Sequence, residues 1–260
     1  MIAASSISVS LGEVAASLAL VAVAIVVSFW RRAELEKDIS VAVLRSFIQL
    51  TAIGYVIQAI FDSDSLWLVA ALLAVMVAFG TWTARGRAKG VPGASGPILL
   101  SLAVAATVTL GLVVALGVFK AEPRYLVPVG GMVIGNSMTA VAVALNRLAD
   151  EMRDGRRQIE AMLALGATSF QAARAAVARS LRSGMIPLVD STKTTGIVFF
   201  PGTMVGMLLA GAEPIDAVRL QVVLLWVLLG AVGLAGLIAT SLAYRGFFTD
   251  AHQLREQPPP

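Results

Sequence analysis

The 260-residue sequence contains no cysteine and a single histidine, His252, near its C-terminal end. Without cysteine the chain has no disulfides, no thiolate metal site and no cysteine nucleophile. It also lacks a G-x-x-x-x-G-K-[ST] segment, the phosphate-binding loop of P-loop ATPases. Any ATP hydrolysis is therefore expected in another polypeptide. No metal-ligand set or nucleophile–base set indicates an enzyme, no metal ligands can be assigned, and we expect His252 to take no part in function.

Charged residues are also scarce, at 14% of the chain, against about 25% in a typical soluble domain. Hydrophobic residues make up 58%, and the mean hydropathy is +0.84. Apolar runs of about 20 residues recur, and each is long enough to cross the roughly 30 Å of hydrocarbon in a lipid bilayer. Since a backbone in lipid must satisfy its own hydrogen bonds, the runs predict an all-α, polytopic membrane protein with one transmembrane domain over residues 1–260. The seven predicted spans are 11–30, 39–61, 66–82, 97–119, 125–145, 187–211 and 220–244.

Basic residues are concentrated in alternate loops. Fifteen of the 20 lie in one set of loops between the predicted spans, and acidic residues predominate in the other set. Because cytoplasmic loops carry an excess of Lys and Arg, this pattern predicts an external N-terminus and a cytoplasmic C-terminus. It also accounts for the basic pI without nucleic-acid binding. We expect a multi-pass protein of a bacterial plasma membrane, which is the inner membrane in a Gram-negative cell.

The longest basic loop, residues 146–186, contains a helix–corner–helix pattern. Gly166 suits the C′ position that ends a first helix. Thr168 and Gln171 then fit a capping box that starts a second helix, which we expect to run to about Ser183. One reading is a solvated amphipathic connector, and the other is a coupling helix that docks into a groove of an ATPase. In the second reading the coupling residues are Glu160, Ala161, Leu165, Gly166, Ala167 and Thr168.

Polar and small residues interrupt the apolar spans. Polar groups in the fifth span must face a partner helix or a wet cavity, and its glycines predict close helix packing. In the sixth span Asp190 and Lys193 are spaced to pair near the cytoplasmic end, and Pro201 predicts a helix break whose free carbonyls can line a transport pathway. A structural role remains the alternative for each feature. Candidate pathway residues are Gln49, Asn136, Ser137, Thr139, Asp190, Pro201 and Gly202, and candidate packing glycines are Gly131, Gly135, Gly202 and Gly206.

Four segments, residues 44–56, 131–147, 160–168 and 201–221, carry a resemblance to a known family. The most specific are Gly-Asn-Ser-Met at 135–138 and Ala-Leu-Asn-Arg at 144–147. In these segments the chain resembles the iron-export ABC permease family FetB of bacteria and its plant aluminium-tolerance relatives. Glu160 to Gly166 is also similar to the EAA loop of ABC importer permeases.

The resemblance implies a homodimer of permeases served by a separately encoded ABC ATPase. That ATPase would hold the ATP and Mg²⁺, and this chain would bind no cofactor. Cargo differs among family members, from iron in bacteria to a nucleotide sugar for a plant relative, so its identity does not carry over.

The leading hypothesis is therefore an ABC transporter permease that exports iron or another metal cation. The alternative is a secondary transporter without an ATPase, with Asp190 as its proton-linked group. A scaffold that recruits an ATPase and transports nothing is a third reading.

Overall fold

The computed structural model describes residues 10–255, so the predicted external segment 1–9 lies outside the described residues. Within this range the chain is helical and contains no named strand. The predicted all-α class is thereby confirmed. The helices are α1 (Leu11–Arg31), α2 (Glu36–Ser63), α3 (Leu66–Arg87), α4 (Ser95–Ala115), α5 (Pro123–Asp154), α6 (Arg156–Ala164), α7 (Ser169–Thr194), α8 (Gly202–Leu209) and α9 (Pro214–Ala243), followed by a 3₁₀ turn, Tyr244–Phe247.

Six of the described helices, namely α1 to α5 and α9, are long and apolar enough to cross a membrane. The predicted sixth span, 187–211, contains a helix break as expected, but its first helix does not begin near Pro187, and this part of the prediction is wrong. The segment is divided among the end of α7, an irregular stretch at 195–201 and the eight-residue α8. The expected helix end near Ser183 is also absent, because α7 continues through Pro187. Packing along α5 supports α7 there, and tertiary packing commonly outweighs the cost of a proline in a helix.

Helix α5 lies at the centre of the molecule. It packs against α3, α4, α7 and α9, and its residues Val133, Val141, Leu145 and Leu148 are buried completely or almost so. The N-terminal pair α1 and α2 is peripheral by comparison. Its main contact with the other helices is at the end of α2, where Ile60 joins a small cluster with residues of α3 and α5. The functional elements are therefore held by α5 rather than by the N-terminal helices.

Two glycines that the sequence did not single out allow the closest helix contacts. A Cβ atom at Gly184 of α7 would lie 2.6 Å from the carbonyl oxygen of Ala140 and 2.9 Å from Cβ of Ala144, both in α5. A Cβ at Gly130 would lie 2.5 Å from a methyl group of Leu73 in α3. The α5–α7 contact depends on Gly184, because a backbone oxygen and a Cβ cannot move aside, whereas the Leu73 side chain can turn away from a Cβ at Gly130.

The predicted packing glycines behave differently. A Cβ at Gly131 would meet the flexible end of Met76 at 3.1 Å, whereas Gly135, Gly202 and Gly206 have no described atom within 4 Å of such a Cβ. These three glycines therefore pack no helix of their own chain among residues 10–255. A packing role for them stays a prediction that requires another molecule.

Candidate functional site

The corner between α6 and α7 is fixed by backbone hydrogen bonds at both helix ends. Gly166 adopts φ +88°, its N–H donates to the carbonyl of Leu163 at 3.0 Å, and the N–H of Ala167 donates to the carbonyl of Met162 at 3.0 Å. This pair of bonds is the Schellman arrangement that ends a helix. The side chain of Thr168 then accepts from the N–H of Gln171, and Gln171 accepts from the N–H of Thr168. The predicted C′ glycine and capping box are both confirmed.

An ion-pair cluster joins α5 to α7 next to this corner. Glu151, whose side chain is 10% exposed, accepts a hydrogen bond of 2.6 Å from Nε of Arg179 on its Oε2. Nη2 of Arg179 also lies 2.6 Å from that oxygen, and Oε1 of Glu151 is paired with Arg147. Glu151 lies beyond the apolar part of α5, which ends at Leu145. The hydrogen bond from Arg179 holds the pKa of Glu151 below its ordinary value, against an opposing effect of burial, and Arg147 adds to the lowering. A charge-assisted hydrogen bond of this kind between the two helices holds α7 against α5.

The residues at the tip of the corner are open to solvent. We use the name coupling element for residues 156–168. Its base is tied down, since Ile159 is 4% exposed and Arg156 pairs with Glu160 at 2.8 Å. At its tip Leu165 is 88% exposed, and the predicted coupling residues Glu160, Ala161, Gly166 and Thr168 are exposed as well. A single exposed leucine is common on protein surfaces, but its place on a corner that is capped at both helix ends makes it a candidate contact for another protein.

The C-terminal segment packs beside the coupling element, which sequence reasoning missed. His252 Nδ1 lies 2.6 Å from the Oγ of Ser169, the first residue of α7. Arg156 of α6 donates to the backbone carbonyl of Arg255 at 3.2 Å. That His252 takes no part in function stays a prediction. Its contact with Ser169 was not foreseen, because the tail folds back by tertiary contacts that leave no local pattern in the sequence.

Helices α5 and α7 run antiparallel, and this determines how far along α5, and so at what depth in the predicted span, each polar residue of α7 lies. Glu151 meets Arg179, Ala140 meets Gly184, and Asn136 lines a groove together with Ser191. The end of α7 is therefore level with the middle of the predicted span 125–145. We expected Asp190 and Lys193 near the cytoplasmic end of their span, and this placement is wrong. The sequence suggested otherwise because the start of α7 was assigned to a separate helix.

The groove between α5 and α7 contains two of the predicted pathway residues. It has a volume of about 240 Å³ and is lined by Asn136 and Thr139 of α5, Pro187, Leu188 and Ser191 of α7, and Val232 of α9. Asn136 donates to the carbonyl of Met132 at 2.8 Å, and Thr139 donates to that of Gly135 at 3.2 Å. Beside the groove, Lys193 pairs with Asp190 at 3.5 Å, and both side chains are more than 60% exposed. The groove thus presents amide and hydroxyl groups, and the carboxylate of Asp190 lies on the same end of α7 outside its lining.

The helix break predicted at Pro201–Gly202 begins earlier, at Thr195. Gly196 has φ +85°, and Pro201 serves as the N-cap of α8. Within the described part of the chain, no backbone N–H donates to the carbonyl groups of residues 195–198. Ile197 is 90% exposed at this break. A backbone segment with free carbonyls is tolerated at membrane depth only where protein covers it or water reaches it.

Other predicted pathway residues lie apart from the groove. Ser137 is fully buried, and its Oγ finds no hydrogen-bond partner among the described residues. Gln49 is exposed on the peripheral helix α2. On the same helix the guanidinium of Arg45 lies 5.9 Å from the ring centre of Phe79 in α3. The structure therefore brings Asn136, Thr139 and the end of α7 together, but it does not bring Ser137 or Gln49 to them.

The side chains of the groove are better suited to weak contacts through oxygen atoms than to a permanently bound metal ion. Among residues 10–255 no group of three or more His, Asp or Glu side chains is placed to hold a metal ion. What the groove offers instead is the oxygen-bearing side chains of Asn136, Thr139 and Ser191. Asp190 and the free backbone carbonyls of residues 195–198 lie near it along the chain. Hard cations prefer such oxygen ligands.

These features define a helical, multi-pass membrane protein with a solvent-exposed, capped corner at one end and a polar groove between two of its helices. Residues 11–248 match the family described as "Uncharacterised protein family (UPF0014)", and the chain belongs to this family. The resemblance inferred from the sequence is thereby confirmed.

Relatives in plants and bacteria cover nearly the whole chain. "UPF0014 membrane protein STAR2" of Oryza sativa subsp. japonica is 40% identical over 242 residues, which are 93% of this chain and 85% of that protein. "Protein ALUMINUM SENSITIVE 3" of Arabidopsis thaliana is 38% identical over 242 residues, 93% of this chain and 88% of that protein. "Probable iron export permease protein FetB" of Escherichia coli (strain K12) is 37% identical over 246 residues, 93% of each chain. No solved structure matches the chain.

Proposed function

We propose that the protein is the membrane permease subunit of an ABC transporter and that separate ATPase subunits hydrolyse the ATP. The observation that carries the proposal is the coupling element, a capped corner that holds Leu165 88% exposed. The Glu151–Arg179 pair joins the two helices that line the polar groove, and α7 begins directly after this corner. A motor that moved the corner would therefore act directly on those helices. The name of the FetB relative, an iron export permease, agrees with a role in transport.

The proposed cargo is iron or another metal cation. A bound cation would meet the oxygen atoms of Asn136, Thr139, Ser191 and Asp190 in turn, and then the free carbonyls of the break at 195–198. Several weak oxygen sites in sequence suit transport, because a transported ion has to be released as well as bound. The basic coupling element would lie on the cytoplasmic side, where the ATPase and its ATP are found.

The test uses the permease co-expressed with a candidate ABC ATPase from the same genome. The variant Leu165→Asp puts a charge at the tip of the coupling element, and we expect loss of ATPase co-purification while the permease itself stays folded. The control is Leu35→Asp, since Leu35 is also exposed and lies in a loop assigned to the same side of the membrane. Co-purification of the ATPase with Leu165→Asp at the level of the control would contradict the assignment of the coupling element.

Cargo is tested on the same complex in liposomes. Ferrous iron, other divalent cations and nucleotide sugars are added separately, and ATP hydrolysis is measured. We expect stimulation by a metal cation that is lost in Asn136→Ala. Stimulation by a nucleotide sugar alone would keep the ABC permease assignment and reject the cation as cargo.

The height of Asp190 favours one alternative function, a proton-coupled secondary transporter. Asp190 lies level with Asn136 rather than at the end of its span, and an acidic group at membrane depth commonly relays protons. This alternative requires cargo flux that follows an imposed proton gradient without any ATPase. Proteoliposomes with the permease alone distinguish the two, because the ABC proposal expects no such flux.

A further inference from the structure

A small basic pocket lies at the turn between α3 and α4. It has a volume of about 260 Å³, and its polar side chains are those of Arg85, Lys89 and Ser95. No acidic residue lines it, and the sequence contains none between Asp64 and Glu122. Within the described part of the chain, neither Arg85 nor Lys89 forms an ion pair. The pocket therefore gathers positively charged hydrogen-bond donors without a carboxylate to match them.

Close contacts on two sides hold this turn in place. A Cβ atom at Gly90 would lie 2.8 Å from Cβ of Ala149 in α5. A Cβ at Gly246, in the 3₁₀ turn after α9, would lie 2.6 Å from the carbonyl oxygen of Pro92. Val91, between the two contacts, is 7% exposed. The pocket is thus preformed, and a ligand would bind to it without a large cost for ordering the loop.

The pocket lies at the depth of lipid headgroups. Ala149, which lies against Gly90, is four residues beyond Leu145, where the apolar part of α5 ends. Four residues correspond to about 6 Å along an α-helix, and the headgroup region on each side of the hydrocarbon is roughly 5–7 Å thick. Since the charge pattern assigns this loop to the cytoplasmic side, the pocket lies among the headgroups of the cytoplasmic leaflet.

An exposed aromatic surface leads from the hydrocarbon to the pocket. Trp82 lies three residues before Arg85 on α3 and is 65% exposed. Phe79, a further three residues back, is 47% exposed, and the centres of the two rings are 5.5 Å apart. Tryptophan is enriched where lipid tails meet headgroups. A lipid with its phosphate at Arg85 would therefore have its glycerol and tails against these two rings.

We propose that this pocket binds the phosphate group of an anionic phospholipid of the cytoplasmic leaflet. The guanidinium of Arg85 would donate to two phosphate oxygens, because its planar fork matches phosphate geometry. Lys89 adds a second positive charge, and the hydroxyl of Ser95 adds a further donor. A zwitterionic lipid carries the same phosphate together with an ammonium group that the two cations repel, so the anionic lipid is preferred. This inference does not depend on the proposed transport function.

The test uses the purified full-length permease in detergent, to which phosphatidylglycerol or phosphatidylcholine is added. Bound lipids are counted by native mass spectrometry, and the thermal unfolding midpoint is measured in the same samples. The variants are Arg85→Gln and Lys89→Gln. The matched control is Arg87→Gln, because Arg87 is exposed at the same turn but does not line the pocket. Each substitution removes one positive charge from an exposed side chain, so we expect all three variants to fold.

We expect phosphatidylglycerol to bind in preference to phosphatidylcholine and to raise the unfolding midpoint, because the turn that it would hold contacts both α5 and the segment after α9. Each pocket substitution should weaken this binding about fivefold, as expected for one basic contact at a membrane surface, whereas Arg87→Gln should bind as the unchanged protein does. An equal loss in all three variants would overturn the proposal, because the general charge of the loop would then account for binding. Equal binding of the two lipids would overturn it as well.

A second arm of the experiment separates a lipid from a soluble phosphate compound. Inorganic phosphate and glycerol 3-phosphate carry the same phosphate chemistry without lipid tails, and we expect neither to raise the unfolding midpoint. If free phosphate stabilised the protein as much as phosphatidylglycerol does, and Arg85→Gln removed the effect, the lipid would be rejected as the ligand.

Discussion

The close contact of α5 with α7 predicts that a single methyl group at Gly184 will destabilise the protein. In Gly184→Ala the new Cβ would lie 2.6 Å from the oxygen of Ala140 and 2.9 Å from Cβ of Ala144, where ordinary contacts begin at 3.4 Å. The helices would have to separate by roughly 1 Å, and overpacking of this kind costs about 1–3 kcal/mol. Neither neighbour can rotate away, because one is a backbone carbonyl and the other a Cβ atom.

The assay is thermal unfolding in detergent, followed by intrinsic fluorescence or by size-exclusion chromatography after heating. For a chain of this size a loss of 1 kcal/mol corresponds to a fall of roughly 2–4 °C in the midpoint, so Gly184→Ala should unfold several degrees early. Gly230→Ala is the matched control, since Gly230 is also helical but has no atom within 4 Å of an added Cβ. Equal midpoints for the two variants would refute the close α5–α7 contact.

Three further predictions concern the coupling element and its supports. Glu151→Gln removes the charge that holds two half-exposed arginines and should cost about 1 kcal/mol, seen as a lower unfolding midpoint, while Asp154→Asn should change little; equal effects would argue against the ion-pair cluster. Gly166→Ala places a residue with a side chain at φ +88°, which costs about 1–2 kcal/mol of conformational free energy, and we expect weaker co-purification of the ATPase. Unchanged co-purification would show that the corner tolerates a change of shape. His252→Ala removes the contact with Ser169, and the tail should become more sensitive to trypsin; an unchanged cleavage rate would mean that this contact does not hold it.

The elements that are visible in the sequence are those specified by local chemistry. Apolar length predicted the spans, and a glycine followed by a Thr-x-x-Gln box predicted the corner, because caps depend on residues that are adjacent in the chain. The family resemblance was visible for the same reason, since its motifs are short and local.

The features that were missed depend on contacts between distant segments. Nothing near Gly184 indicates that it will face Ala140, and the continuity of α7 through Pro187 follows from its packing on α5. The contact of His252 with Ser169 joins residues 83 positions apart. Asp190 was placed at the wrong height because its helix was taken to begin near Pro187 instead of at Ser169. Tertiary packing, which a single sequence does not encode in any local pattern, decided each of these cases.

The antiparallel pair of α5 and α7 has a mechanical consequence. The two helices are joined by the Glu151–Arg179 pair and again by the close contact at Gly184, so we expect them to tilt together as a rigid body. Asn136 lies 15 residues along α5 from Glu151, which is about 22 Å at the rise of an α-helix. A tilt of about 10° around the Glu151–Arg179 pair would therefore swing the mouth of the groove by about 4 Å, which is within the range of known helix shifts. In the proposed transport cycle, a small rotation at the coupling element would therefore cause a larger displacement at the groove. That displacement would be enough to open or close a path for an ion.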